Sequence, residues 1–126
     1  MDDNSFTDLE SAIVNWYISF YQDKALTEQL RGAHIVKRKW TEVGWYVDLH
    51  VPETAVPVVA NELGYGKWPI EGPQIRSSSL PQDAGVILWG KQGLVNCIEM
   101  FAYGSGFPAE LGQFELIKPA SLKNRP

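Results

Sequence analysis

Near the start of the chain, apolar residues recur at helical spacing. Leu9, Ile13, Trp16, Tyr17 and Phe20 fall on one stripe, and Val14, Ile18 and Tyr21 widen it. Ahead of the stripe, Thr7-Asp8-Leu9-Glu10 has the form of a capping box, in which the threonine hydroxyl and the glutamate carboxylate each satisfy a free amide of the first turn. These signals predict a helix from about Asp8 to Tyr21. A short second helix, or a continuation of the first, over Ala25 to Arg31 follows from Leu26 and Leu30, four apart, with Gly32 as its left-handed stop.

The period then changes to two. In Gly44 to Val51, Trp45, Val47, Leu49 and Val51 share one face, while Tyr46, Asp48 and His50 share the other. His34 to Trp40 is the expected antiparallel partner, and Pro52 closes the pair because it has no amide to donate. Val56, Val59, Ala60 and Leu63 return to helical spacing, which predicts a helix capped by Thr54, with Pro57 in its first turn and Gly64 as its stop. Tyr65 to Pro69 has the composition of a loop, and Gln74 to Leu80 reads as a strand of weak pattern. Val86 to Trp89 and Leu94 to Tyr103 predict a hairpin about Gly90-Lys91-Gln92-Gly93, and Phe114 to Ile117 an edge strand. The layout is a single α+β domain, with the N-terminal helix packed on a four- to six-stranded, mainly antiparallel sheet.

Length and composition agree with one domain that holds its own core: 126 residues, 44% hydrophobic and 21% charged. The net charge of −4 is uneven, since residues 1–32 carry six acids against Lys24 and Arg31, while the remaining nine acids and nine bases cancel. An acidic N-terminal third favours encounter with a basic partner. Lys37-Arg38-Lys39 is the only basic cluster and strand alternation splits it across two faces, which disfavours nucleic acid. Cys97 is alone among apolar neighbours, so a buried, inert thiol is expected. Met-Asp-Asp-Asn is not the start of a signal peptide and no apolar run approaches a membrane span, which points to a cytoplasmic protein with no membrane contact.

Glu99 is the residue most in need of an explanation. It lies among Cys97, Ile98, Met100 and Phe101, where a charge is costly unless paired. Alternation groups it with Val95, Cys97, Phe101 and Tyr103. Pairing with Arg38, Arg76 or a tyrosine hydroxyl makes it structural, exposure makes it partner-facing, and unpaired burial would raise its pKa as in a general acid. No second catalytic group can be nominated beside it. Asp48, His50 and His34 fall short of a metal ligand set, and Ser77-Ser78-Ser79 and Ser105 lack the partners of a nucleophile. No catalytic residue, metal or cofactor is therefore assigned. The aromatic loop residues Tyr65, Trp68, Tyr103 and Phe107 join Glu99 as candidate partner-binding positions.

Gly44 to Pro52, then Ala84 to Gly93, then Ile98-Glu99-Met100-Phe101-Ala102-Tyr103 with Phe107-Pro108 and Phe114-Glu115-Leu116, form a series across residues 38–117. It resembles small uncharacterised bacterial α+β proteins with a Gly-aromatic strand and a Glu-x-aromatic-x-Tyr strand closed by proline. Such proteins look like toxin-immunity proteins, so the resemblance implies a non-enzymatic protein that neutralises a toxin partner, a basic domain, by occlusion. The competing expectation is a small enzyme or ligand-binding domain with a pocket near Glu99, Tyr103 and His50. A homodimer paired through the Phe114–Ile117 edge is a third.

Overall fold

The computed structural model describes residues 5–59, 68–104, 106–108 and 110–119. Two helices, α1 (Asp8–Tyr21) and α2 (Lys24–Gly32), precede seven strands: β1 (His34–Trp40), β2 (Gly44–His50), β3 (Ile70–Glu71), β4 (Gln74–Arg76), β5 (Ala84–Lys91), β6 (Leu94–Ala102) and β7 (Glu115–Ile117). The strands form one sheet in the order β1-β2-β6-β5-β4-β7, with β3 also paired to β5, and every pairing is antiparallel. The fold is α+β, as the sequence predicts. The sheet has one strand more than the six expected because Ile70–Glu71 adds a short one ahead of Gln74–Arg76.

The capping box forms at α1: the Thr7 N–H donates to Glu10 Oε1 at 2.9 Å, and the Glu10 N–H donates to Thr7 Oγ1 at 3.2 Å. The helix ends at Gln22, which takes the left-handed conformation at φ 51° and donates its N–H to Ile18 O. Asp23 caps α2 by accepting from the Leu26 N–H at 2.9 Å. Gly32 does not supply the expected left-handed stop. It is the last helical residue, and Ala33 leaves α2 in an extended conformation that leads directly into β1.

Both helices cover one face of the sheet. Ile13, Tyr17, Leu26 and Leu30 meet Val47, Leu88, Ile98 and Met100 in a layer with essentially no solvent exposure. Two tyrosines of the apolar stripe use their hydroxyls as well as their rings: Tyr17 donates to Ile70 O at 2.9 Å and Tyr21 to Glu71 O at 2.7 Å. These bonds tie α1 to β3. Gln29 of α2 is buried and fully engaged, its amide nitrogen donating to Val56 O and Gly93 O and its oxygen accepting from the Val95 N–H.

The expected helix from Thr54 is absent over residues 54–59, which form a turn and a stretch without regular secondary structure. Val56 precedes Pro57 and is thereby disfavoured from helical geometry. Val56 O accepts from Gln29 and the Val58 N–H donates to Gly93 O, so this backbone is satisfied by α2 and the β5–β6 turn. Val58 is buried and Val56 and Val59 are exposed, the reverse of the helical pattern. Residues 60–64 of that expectation lie outside the described residues. The strand expected over Gln74 to Leu80 stops at Arg76 because serine hydroxyls make local alternatives to a ladder. Ser77 and Ser79 both donate to Leu111 O, and the Leu80 N–H closes a turn on Ser77 O.

The β5–β6 hairpin turns on Gln92 and Gly93, whose φ values of 55° and 83° fit a two-residue primed turn. Three residues past Gly93 the pairing shifts: Trp89 opposes Cys97 but Gly90 opposes Val95, leaving Asn96 as a bulge. The bulge turns Val95 to the helix side, 1% exposed, and Asn96 to solvent. Val95 therefore does not share the face of Glu99, contrary to simple alternation. Among the described residues, no helix is long and apolar enough to cross a membrane.

Candidate functional site

With the helices on one side, the other residues of each central strand point to the opposite face, which no described element covers. Register aligns Lys39, Tyr46, Glu99 and Ile87 in one row across β1, β2, β6 and β5, and Lys37, Asp48, Cys97 and Trp89 in the next. The split of Lys37-Arg38-Lys39 follows the alternation, with both lysines on this face and Arg38 on the other.

Glu99 sits near the middle of the face and is half-buried. Trp89, on the diagonal, donates its indole N–H to Glu99 Oε1 at 3.0 Å. The Tyr46 hydroxyl, directly across in β2, donates to the same carboxylate. That bond and the carboxylate charge raise the Tyr46 pKa, since ionising the phenol would lose the bond and set two negative groups together. No lysine or arginine among the described residues pairs with Glu99. A carboxylate has about four lone-pair sites, so acceptor capacity remains on a charge held by two aromatic donors.

The surround is aromatic. Phe101 and Tyr103 meet edge to face, with centroids 5.4 Å apart, and both rings fold over Gly85. A Cβ at Gly85 would lie 2.5 Å from the Phe101 ring and 2.7 Å from the Tyr103 hydroxyl, so only glycine lets the rings lie against the strand. Trp89 is 37% exposed and Tyr103 43%. The Cys97 thiol beside them is pushed up to about 12 by burial first and then by the charge and hydrogen bond of Asp48. It is protonated at neutral pH and is no nucleophile.

The predicted positions do not assemble into one site. Glu99 and Tyr103 share the open face. Phe107 is on the helix side, edge-on to Trp45 at 4.9 Å. Trp68 packs on the sheet at Gly90, where an added Cβ would lie 2.4 Å from its ring. Tyr65 lies outside the described residues. The Glu99, Tyr103 and His50 trio does not converge either. His50 is four positions along β2 from Tyr46, the partner of Glu99, and Tyr103 is four positions from Glu99 in the opposite direction. At the rise of a strand each lies about 13 Å from Glu99 along the sheet, so the three line no common pocket. His34 and His50 are register partners at the far end of β1 and β2, but no three His, Cys, Asp or Glu side chains among the described residues group as metal ligands.

The deeply buried carboxylate is Glu10, not Glu99. Only 1% exposed, Glu10 accepts from Arg38 Nε at 2.8 Å, from Arg38 Nη2, from Trp45 Nε1 at 3.0 Å and from the Thr7 N–H. Burial pushes its pKa up, but Arg38, the Thr7 amide and the Trp45 indole together hold it below the ordinary carboxylate range. The cost of a buried charge was legible in the sequence. Its bearer was not, because the capping role of Glu10 already accounted for that residue and Arg38 is 28 positions away.

Matched against protein-family models, against curated proteins and against solved structures, the chain finds no match in any, so the reading of the site rests on its geometry.

Proposed function

We propose that this chain is a non-enzymatic binding protein that seats a partner protein on its open sheet face, with Glu99 at the centre taking a basic side chain of that partner. The observation that carries this reading is a carboxylate that pairs with no lysine or arginine among the described residues, set between the Trp89 indole and the Tyr46 hydroxyl on a face that no described element covers. Interfaces concentrate binding energy in desolvated aromatic and charged anchors, and Trp89, Phe101 and Tyr103 supply the aromatic surround. An arginine or lysine of the partner would take the free lone pairs of Glu99 and lie against the Trp89 and Tyr46 rings.

The resemblance noted in the sequence makes a toxin the partner class of choice, neutralised by occlusion. Steering by the acidic N-terminal third is weaker than composition implies, because Arg38 cancels Glu10. Specificity then rests on the open face. A homodimer through the β7 edge has less to support it, since β7 spans only three residues and offers few ladder bonds.

The test is capture of the partner from the source cell with wild type, Glu99→Gln and Trp89→Ala, followed by affinity measurement on the captured protein. Removing one member of an interfacial charge pair costs about 2 kcal/mol or more, so Glu99→Gln is expected to weaken binding about 30-fold with little change in Tm. A captured protein bound equally by all three refutes the reading.

A further inference from the structure

On the helix side of the sheet, away from Glu99, lies a second feature that the proposed function does not use. A groove of about 300 Å³ is lined by Leu9, Trp40, Trp45, Phe107 and Phe114, together with Asp8. Trp40 is 65% exposed, an unusual state for the largest side chain. Its ring is nonetheless held, stacked on Trp45 with centroids 4.8 Å apart and planes 29° apart. Trp45 in turn is fixed by its bond to Glu10 and by the Phe107 edge, so the wall is set before any ligand arrives.

Two polar groups at the groove are uncommitted. The Trp40 indole N–H has no acceptor among the described residues, whereas that of Trp45 is used. Asp8 is exposed on the first turn of α1, and no cation among the described residues pairs with it. The groove thus presents a flat apolar wall, one donor and one negative charge.

We infer that this groove binds a proline-rich peptide segment carrying a basic residue, in polyproline II conformation. Such a segment brings rings that stack on Trp40, backbone carbonyls with no internal partner that accept from its N–H, and a cation for Asp8. It is preformed, so little ordering entropy is lost on docking. An added β-strand fits less well. The neighbouring edge, β1, is interrupted by a bulge between Ile35 and Lys37 and carries Lys37 and Lys39.

The test is calorimetric titration of the full chain with the synthetic peptide acetyl-PPPRP-amide, with acetyl-PPPQP-amide and acetyl-AAARA-amide as comparisons. The expected result is saturable binding of the first peptide with Kd below about 1 mM, weakened at least about tenfold by Trp40→Ala. Asp8→Asn should weaken the arginine peptide about threefold or more and leave the glutamine peptide unchanged. Trp89→Ala, on the opposite face, should change neither, which separates this site from the proposed protein interface. Absence of saturable binding overturns the inference. So does binding that survives Trp40→Ala, or equal affinity for the alanine peptide. Phe107→Ala repeats the Trp40 arm from the other wall if that variant fails to fold.

Discussion

Arg38→Met isolates the buried ion pair. The substitution keeps an unbranched apolar stem in place and removes the guanidinium from Glu10, leaving that carboxylate with only the Thr7 amide and the Trp45 indole. Breaking a buried pair by removing one partner costs about 3–5 kcal/mol, because the remaining charge is uncompensated. For a domain of this size that corresponds to a fall in Tm of roughly 10–20 °C. Replacing both members, as Glu10→Leu with Arg38→Met, should restore most of the loss, less about 1 kcal/mol for the broken capping box.

The pH dependence carries the sharper signature. In the wild type the Glu10 pKa is lowered on folding, so its contribution is present above the unfolded carboxyl pKa and is lost as pH falls through the folded value. In Arg38→Met burial dominates and the pKa rises. The penalty is then present at neutral pH and is relieved as the carboxyl protonates on acidification. Urea unfolding followed by tryptophan fluorescence at several pH values between about 3 and 8 reads both effects. A loss in Arg38→Met of under about 1 kcal/mol, or one that does not shrink toward pH 5, refutes the reasoning.

Three further outcomes follow from the same geometry. Gln29→Ala removes a buried side chain that serves Val56 O, Gly93 O and the Val95 N–H, and should cost about 2–4 kcal/mol by chemical denaturation, with faster hydrogen exchange at Val58 and Val95. Gly85→Val forces the Phe101 and Tyr103 rings off β5; near-ultraviolet circular dichroism should change and the affinity of the open face should drop, while far-ultraviolet spectra hold. The Cys97 thiol, pushed up to about 12, should react with iodoacetamide at pH 8 far more slowly than free cysteine in the folded chain and at a normal rate in urea.

Local patterns were the most readable part of this chain. The bounds of α1 and the strand His34–Trp40 follow directly from the capping box and the period-two run, because those signals lie within a few residues of one another. The sheet partners of β2 were less accessible. Alternation assigns faces but not neighbours, and nothing near Tyr46 announces that β6 rather than β3 will lie beside it. The bulge at Asn96 inverted the expected side of Val95, since one extra residue resets the alternation. Helical spacing at Val56 and Val59 misled because the restriction imposed by Pro57 outweighs a few apolar positions. For Glu99 the tyrosine hydroxyl among the candidate partners is the one found, supplied by Tyr46, with Trp89 added from the diagonal. The Trp40 groove had no local signal at all. Its walls come from α1, β1, β2 and the stretch before β7, and only tertiary structure brings them together.

The most direct measurement is hydroxyl-radical footprinting of the complex formed with the captured partner, read residue by residue against the free chain. The expected result is protection of Tyr46, Trp89, Phe101 and Tyr103, with the outer surface of α1 as reactive as before. Protection confined to the helix side, with Trp89 and Tyr103 unchanged, would contradict a partner seated over Glu99.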